Sequence, residues 1–273
     1  MSRATGSELR AIAVQVAGEA ARVANRMQEM AGSAVRTKSS ETDVVTSADT
    51  EAEALIRRRL AELRPADAVL GEEGGRSASP VDRGAAAGQL CWVVDPIDGT
   101  VNYLYGIPWF AVSVAATRDG VALAGAVVEP ASGRVWSAQA GAGATLDGRP
   151  LRASAADRLE LALISTGFSY QVDRRARQGE LASALLTRVR DIRRFGSAAL
   201  DLCAVAAGWV DGYYEHAINP WDWAAGALIA EEAGAVVRLP APGSGHGSAV
   251  LAAAPGIAEQ LGAALAELGA GEL

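Results

Sequence analysis

Residues 92–103, reading Trp-Val-Val-Asp-Pro-Ile-Asp-Gly-Thr-Val-Asn-Tyr, constrain the fold of this chain more than any other stretch. Cys91 to Val94 is apolar and β-branched enough for a buried strand, and Pro96 biases Asp95 towards an extended backbone. Asp95 is therefore expected at the carboxyl end of that strand. Gly99 then permits a tight turn and the close approach of a ligand, and Thr100 to Tyr105 is long enough for a short helix. A helix start favours an anion, so two carboxylates three residues apart beside it call for a cation. A hard divalent ion such as Mg²⁺ takes oxygen ligands, and Asp95, Asp98 and the Ile97 carbonyl supply three. The same residues read equally well as an ordinary turn with a capping Asp98, Asp95 being a solvated strand end.

Composition narrows what such a motif can serve. At 273 residues the chain has room for one compact α/β unit with two subdomains. The first, residues 1–150, would carry an antiparallel sheet and most candidate ligands; the second, residues 151–273, would complete the site. Half the residues are hydrophobic, yet no apolar run approaches the ~20 residues of a membrane span. Arg3, Glu8, Arg10, Glu19, Arg22 and Arg26 interrupt the first thirty residues, which argues against a secretory signal and for a cytoplasmic protein. Cys91 and Cys203 lie far apart in apolar settings and read as reduced core residues. The net charge of −7 disfavours nucleic acid as a main ligand, and an acidic protein handling an anionic substrate needs cations to bridge the two. His216 and His246 have no partner at ligand spacing, so a metal would sit on oxygen rather than as zinc on nitrogen or sulfur.

Along the chain, Leu9, Ile12, Ala13, Val16, Ala20, Val23, Ala24 and Met27 recur at helical spacing and predict an amphipathic helix over about 7–31. Residues 38–43 are polar and turn-like, and Val44-Val45-Thr46 is a short extended piece before a second helix over 48–63. Asp49 falls in its first turn, where a carboxylate complements the helix dipole. A strand over 67–70 runs into Gly71-Glu72-Glu73-Gly74-Gly75, which is either a solvated acidic turn or a second source of metal ligands. Residues 77–89 are rich in Ser, Ala, Pro and Gly without periodicity and read as a surface loop, a candidate lid.

Beyond the motif, 110–116, 121–129 and 134–138 are β-rich and punctuated by Asp119-Gly120 and Ser132-Gly133, signals of antiparallel hairpins. From residue 161 strand-like and helix-like runs alternate. Strands are expected at 161–165, 192–195, around Tyr213-Tyr214-Glu215, at 235–239 and at 249–253; helices at 174–187, 198–207, 221–233 and a last one ending at Leu268. Alternation implies stacked α/β layers. The basic runs 174–177 and 188–194, diluted by Asp173, Glu180 and Asp191, read as a solvated helical face.

Three stretches occur together in order: Gly71-Glu72-Glu73, then 92–103, then Trp221-Asp222-Trp223-Ala224-Ala225-Gly226. With Lys38-Ser39, Asp43, Gly196-Ser197-Ala198-Ala199 and Asp211-Gly212-Tyr213-Tyr214-Glu215, they make the chain resemble the inositol monophosphatase family, its bacterial members above all, over most of its length. The resemblance implies a layered α-β-α-β-α sandwich of the inositol monophosphatase and fructose-1,6-bisphosphatase type. It also implies Mg²⁺-dependent hydrolysis of a small phosphate monoester, inhibition by lithium, and commonly a homodimer.

Carried over position by position, the resemblance assigns Glu72, Asp95 and the Ile97 carbonyl to one Mg²⁺ and Asp95, Asp98 and Asp222 to a second. Glu72 would bind a weaker third ion through waters. Thr100, oriented by Asp49, would position the nucleophilic water, and the amides of Gly99 and Thr100 would take the phosphate. Asp98, the backbone near Ala198, and Glu215 match the positions that meet the alcohol. Ser197, Tyr103 and Trp223 depart from the common pattern without removing a ligand, and bulky Trp223 is expected at the outer wall of the site. Inositol 1-phosphate is the first substrate expected, with histidinol phosphate, fructose bisphosphate and nucleotide 3′-phosphates as alternatives. A protein-interaction or RNA-associated factor that keeps the fold is the reading from a different class.

Overall fold

The structure, a computed structural model, describes residues 4–30, 35–37, 44–77, 88–240 and 247–273. The first half contains α1 (Gly6–Met30), β1 (Val35–Thr37), β2 (Val44–Thr46), α2 (Ser47–Leu63), β3 (Ala68–Gly71), β4 (Gly75–Ser77), β5 (Leu90–Asp98) and α3 (Thr100–Leu104), then β6 (Ala111–Arg118), β7 (Val121–Val128), β8 (Val135–Gln139), β9 (Ala144–Leu146) and β10 (Arg149–Pro150). The second contains β11 (Leu163–Thr166), α4 (Val172–Leu185), β12 (Asp191–Arg193), α5 (Ala198–Ala206), β13 (Gly212–His216), α6 (Pro220–Glu232), β14 (Val236–Arg238), β15 (Ala249–Ala253) and α7 (Ala258–Glu267). Lys38, Ser39 and Asp43, most of the 77–89 loop and His246 lie outside the described residues.

β1 and β2 pair with each other. An eight-stranded sheet runs β10-β9-β8-β7-β6-β5-β3-β4, antiparallel except where β3 lies parallel to β5. A five-stranded sheet runs β12-β11-β13-β15-β14, with β11 parallel to both its neighbours.

Strand alternation sorts the side chains into layers. Trp92 and Val94 of β5, with Val112, Val114 and Ala116 of β6, face Leu9, Val16 and Ala20 of α1 and Ile56 and Leu60 of α2. Val93, Ala111 and Ala115 face the opposite way, onto Leu202 and Val205 of α5 and Leu228 and Ile229 of α6. Those two helices also meet Tyr213 and Val250 of the five-stranded sheet. Tyr214 and Leu251 of that sheet point outward to Leu181 and Leu185 of α4 and Leu261 and Leu265 of α7. The order is α-β-α-β-α. Every residue of α5 is buried, as a helix enclosed between two sheets must be. Its approach to α6 is close, since a Cβ on Gly226 would lie 2.9 Å from the Leu202 Cβ, and α6 lies equally close on the sheet, where a Cβ on Gly125 of β7 would be 3.1 Å from the Ala225 Cα.

Four expectations are revised. The strand read as ending at Val94 continues to Asp98, with a register shift against β6 between Asp95 and Asp98. A further hairpin joins β9 to β10 through Asp147 and Gly148, both at positive φ (50° and 77°), the same Asp-Gly turn signal that was recognised at Asp119-Gly120. Cys91 is half-buried, not a core residue; Cys203 is buried, and neither forms a disulfide. The run 188–194 is a turn leading into β12, not a helical face. Among the described residues, no helix is long and apolar enough to cross a membrane.

Candidate active site

The register shift in β5 is what turns the strand end into a site. Pro96 has no amide to donate, and the Ile97 amide turns back to Asp95 Oδ1 at 3.0 Å. This holds Asp95 and Asp98 on one side of a kinked strand, 1% and 7% exposed. Gly99, at φ 94°, then begins α3, and its Cα lies so close to the second half that a Cβ would be 3.0 Å from the Gly196 carbonyl. Asn102 Nδ2 stitches this approach by donating to the Trp109 and Phe195 carbonyls at 2.7 and 2.8 Å.

Asp98 sits on the start of α5. Its Oδ2 accepts the Ser197 hydroxyl and the Ala199 amide, the latter at 2.8 Å, and its Oδ1 accepts the Ala198 amide at 3.3 Å. The Ala198 amide is thus engaged by Asp98, and Ala198 itself lines the pocket. Burial pushes the Asp98 carboxyl up to about 6 in spite of the Ser197 and amide hydrogen bonds that favour its charged form.

From the other half comes Asp222, third residue of α6. Its Oδ2 accepts the Asn219 amide at 2.5 Å, with Pro220 in the first helical position. It is therefore a helix cap in fact, and it also faces the floor. One carboxylate oxygen each from Asp95, Asp98 and Asp222 lie within 4.8 Å of one another. Burial, then Glu72, Asp98, Asp222 and Asp49 in turn, drive the Asp95 carboxyl well above the usual range. Asp222 is raised likewise by burial and by Asp98 and Glu72.

These groups form the floor of a pocket of about 390 Å³, also lined by Glu72, Ile97, Gly99, Thr100 and Glu215. Asp49 is buried behind it in the first turn of α2, where its charge helps raise Asp95 and Tyr103. The Thr100 hydroxyl donates to the Ile97 carbonyl at 3.1 Å, which leaves its oxygen only acceptor capacity. Glu215 is partly buried at the rim, with the Tyr213 hydroxyl donating to Oε2 at 2.9 Å, and burial brings it up to about 7. A Cβ on Gly167 would fall 2.1 Å from the Glu215 Cδ, so this carboxylate lies flat on bare backbone.

Sequence reasoning missed part of the wall. Phe168, Ser169, Tyr170, Arg194 and Ile218 line the pocket, as does Ala217, a non-glycine residue at φ 60°. Arg194 was read as part of a solvated face. Gly196, at φ 98°, lets it turn in: a Cβ there would meet Arg194 Nη1 at 2.5 Å, and its charge acts on Glu215. Trp223 is not at the wall; it packs into the middle layer, and Trp221 lines the pocket instead.

The donor set suits a hard divalent ion: every candidate ligand is an oxygen, and the clustered carboxylates are costly to ionise together without a cation. No His or Cys joins the acidic group among the described residues.

Comparison with known proteins agrees with this geometry. A model of the inositol monophosphatase family matches residues 6–270. The chain is 57% identical over 240 residues to an inositol-1-monophosphatase of Mycobacterium leprae, covering 86% of this chain and 82% of the relative. It is 37% identical over 227 residues to the Nus factor SuhB of Vibrio cholerae, covering 83% of each. Among solved structures, Mycobacterium tuberculosis SuhB superposes with a TM-score of 0.84 at 45% identity, over 98% of this chain and 100% of that one.

Proposed function

The chain belongs to the inositol monophosphatase family, and from that premise we propose that it hydrolyses inositol 1-phosphate to myo-inositol and phosphate with Mg²⁺ held at the acidic floor. The observation that carries this reading is the convergence of Asp95, Asp98 and Asp222 oxygens within 4.8 Å, from both halves of the chain. Glu72, Asp95 and the Ile97 carbonyl would hold one ion, Asp95, Asp98 and Asp222 a second, and Glu72 a weaker third. When bound, the ions supply an activated water and neutralise the leaving oxygen.

The chain's own residues do the positioning, which in phosphoryl transfer is most of the work. Thr100, its only hydroxyl proton engaged by Ile97, can accept a hydrogen bond from the attacking water and so aim it, with Asp49 behind. The amides of Gly99 and Thr100 would take phosphate oxygens. Asp98 is held by α5 in one orientation, and Glu215 is placed to accept hydrogen bonds from the alcohol. Residues 1–150 and 151–273 would act as two subdomains; in support, the eight-stranded sheet ends at Pro150 and the five-stranded sheet begins at Leu163. Family resemblance supports a lithium-sensitive, cytoplasmic homodimer.

Phosphate release from inositol phosphates, histidinol phosphate, fructose 1,6-bisphosphate and adenosine 3′,5′-bisphosphate, with and without Mg²⁺, tests the reading. Activity on inositol 1-phosphate that a chelator abolishes is expected. Full activity without metal would overturn the mechanism, and preference for another member of the panel would replace the substrate. The relative named Nus factor SuhB supports a second reading, an added role as an interaction or RNA-associated factor. Salt-dependent RNA binding retained in Asp95→Asn is its test.

A further inference from the structure

Glu53 is 2% exposed in the middle of α2 and takes no part in the pocket wall. A carboxylate so buried is tolerated only where hydrogen bonds and a counter-charge compensate for lost water. Here they come from the acidic turn itself. Glu53 Oε2 accepts the Glu73 amide at 2.7 Å, and Oε1 accepts the Gly74 amide at 2.8 Å. Arg57, one helical turn on, donates Nε to Oε1 at 2.7 Å and Nη2 to the Gly75 carbonyl at 2.6 Å.

The fit needs bare backbone around it. A Cβ on Gly71 would lie 2.7 Å from the Glu53 carboxylate, and one on Gly74 2.9 Å. Glu72 is thus pinned on both sides: Gly71 is registered against Val94 of β5, and Glu73 and Gly74 are tied to Glu53. The Glu72 charge is felt by Asp95, Asp98 and Asp222, so its placement bears on the whole floor.

We propose that Glu53 is a positioning residue, whose carboxylate, countered by Arg57, clamps the Glu72-Glu73-Gly74 turn so that Glu72 meets the floor in the orientation cation binding requires. The inference rests on the floor holding Mg²⁺. Partners in the shell behind metal ligands typically change affinity by about 10–100-fold.

Calorimetric titration of the full chain with Mg²⁺ would compare wild type with Glu53→Gln and Gly71→Ala. Gln sets an NH₂ against one of the two amide donors; Ala at Gly71 displaces the same carboxylate from the other side. Both variants should bind Mg²⁺ ~10–100-fold more weakly and lose hydrogen-exchange protection at the Glu73 and Gly74 amides. At saturating Mg²⁺ their KM should stay within about twofold of wild type, because the wall is untouched. Wild-type Mg²⁺ affinity in Glu53→Gln, with or without a fall in thermal stability, would overturn the proposal. Should that variant not fold, wild-type affinity in Gly71→Ala would do so. A wild-type protein that binds no Mg²⁺ would overturn the metal reading instead, and exchange at Glu73 and Gly74 in metal-free protein would still decide whether the clamp exists.

Discussion

The floor and the wall of the pocket are built differently. On the floor, Asp95 and Asp98 are buried and tied to backbone amides of Ile97, Ala198 and Ala199, and Asp222 is tied to that of Asn219. Along the wall, Tyr170 is 45% exposed, Arg194 reaches in past a glycine, and the loop turns at Ala217 with positive φ. The charges of the floor are held by the main chain, whereas Tyr170, Arg194 and Ala217 of the wall stand on connecting segments between elements. The difference separates chemistry from selection: substitutions on the floor should change turnover and metal binding, and those on the wall should change KM.

The strongest attempt to break that division is Asp95→Asn. Asp95 is common to both ion sites in the proposed mechanism, so turnover should fall at least ~10³-fold, on the order of 4 kcal/mol, with KM little changed. Without metal the variant should melt higher than wild type, since burial and the four carboxylates of Glu72, Asp98, Asp222 and Asp49 all oppose the Asp95 charge. Turnover within tenfold of wild type would make the floor merely structural.

Next in size is Asp222→Asn, because here one side chain caps α6 and, in the proposed mechanism, would also hold an ion. Asn keeps an oxygen for the Asn219 amide, so the cap should change by at most ~1 kcal/mol. The charge is lost, and turnover should fall ~10²-fold with one fewer Mg²⁺ bound tightly by calorimetry. Near wild-type catalysis at low Mg²⁺ would leave Asp222 a cap and nothing more.

How legible each region was follows from the same division. The floor's residues stand in short motifs whose types announce oxygen ligation, and Asp95, Asp98 and Glu72 could be singled out from local sequence. Asp222 could not, because nothing near it distinguishes a ligand from a cap; resemblance to a family supplied it, and the structure shows it capping α6 and standing beside Asp95 and Asp98. The layers were readable from alternation, which is set locally. The extension of β5 to Asp98 was not, since it depends on where β6 pairs. Arg194 was lost in a charge run, because its direction is decided by Gly196 and by parallel pairing of β12 with β11. Glu53 looked like any polar residue of a helix, its amide partners lying 20 and 21 residues on.

On the wall, Arg194→Ala should sharpen the comparison. Arg194 is the one Arg or Lys among the described lining residues, and its charge favours the ionised form of Glu215. Its removal should raise KM up to ~10-fold and leave turnover within about threefold, the pattern of lost ground-state binding. A fall in turnover with KM unchanged would place Arg194 in the chemistry and erase the boundary.

The smallest effect concerns the wall's own acid in the absence of metal and substrate. Glu215 is brought from its ordinary 4.5 to about 7 by burial first, with Asp98 adding, against the Tyr213 hydroxyl and Arg194, which favour the charge. Asp201, buried nearby, is itself raised by burial and by Glu215. A carboxyl that holds its proton more tightly when folded stabilises the fold fully below its unfolded value, about 4.5, and loses that contribution as pH rises through about 7. Gln mimics the protonated form at every pH. Melting curves of wild type and Glu215→Gln should therefore nearly coincide at about pH 4.5 and separate towards pH 7, the variant becoming more stable by roughly 5 °C. The floor carboxylates titrate in both proteins and largely cancel in the difference. Parallel curves would mean that Glu215 stays ionised throughout, and the wall would then hold a fixed charge where the floor's acids titrate.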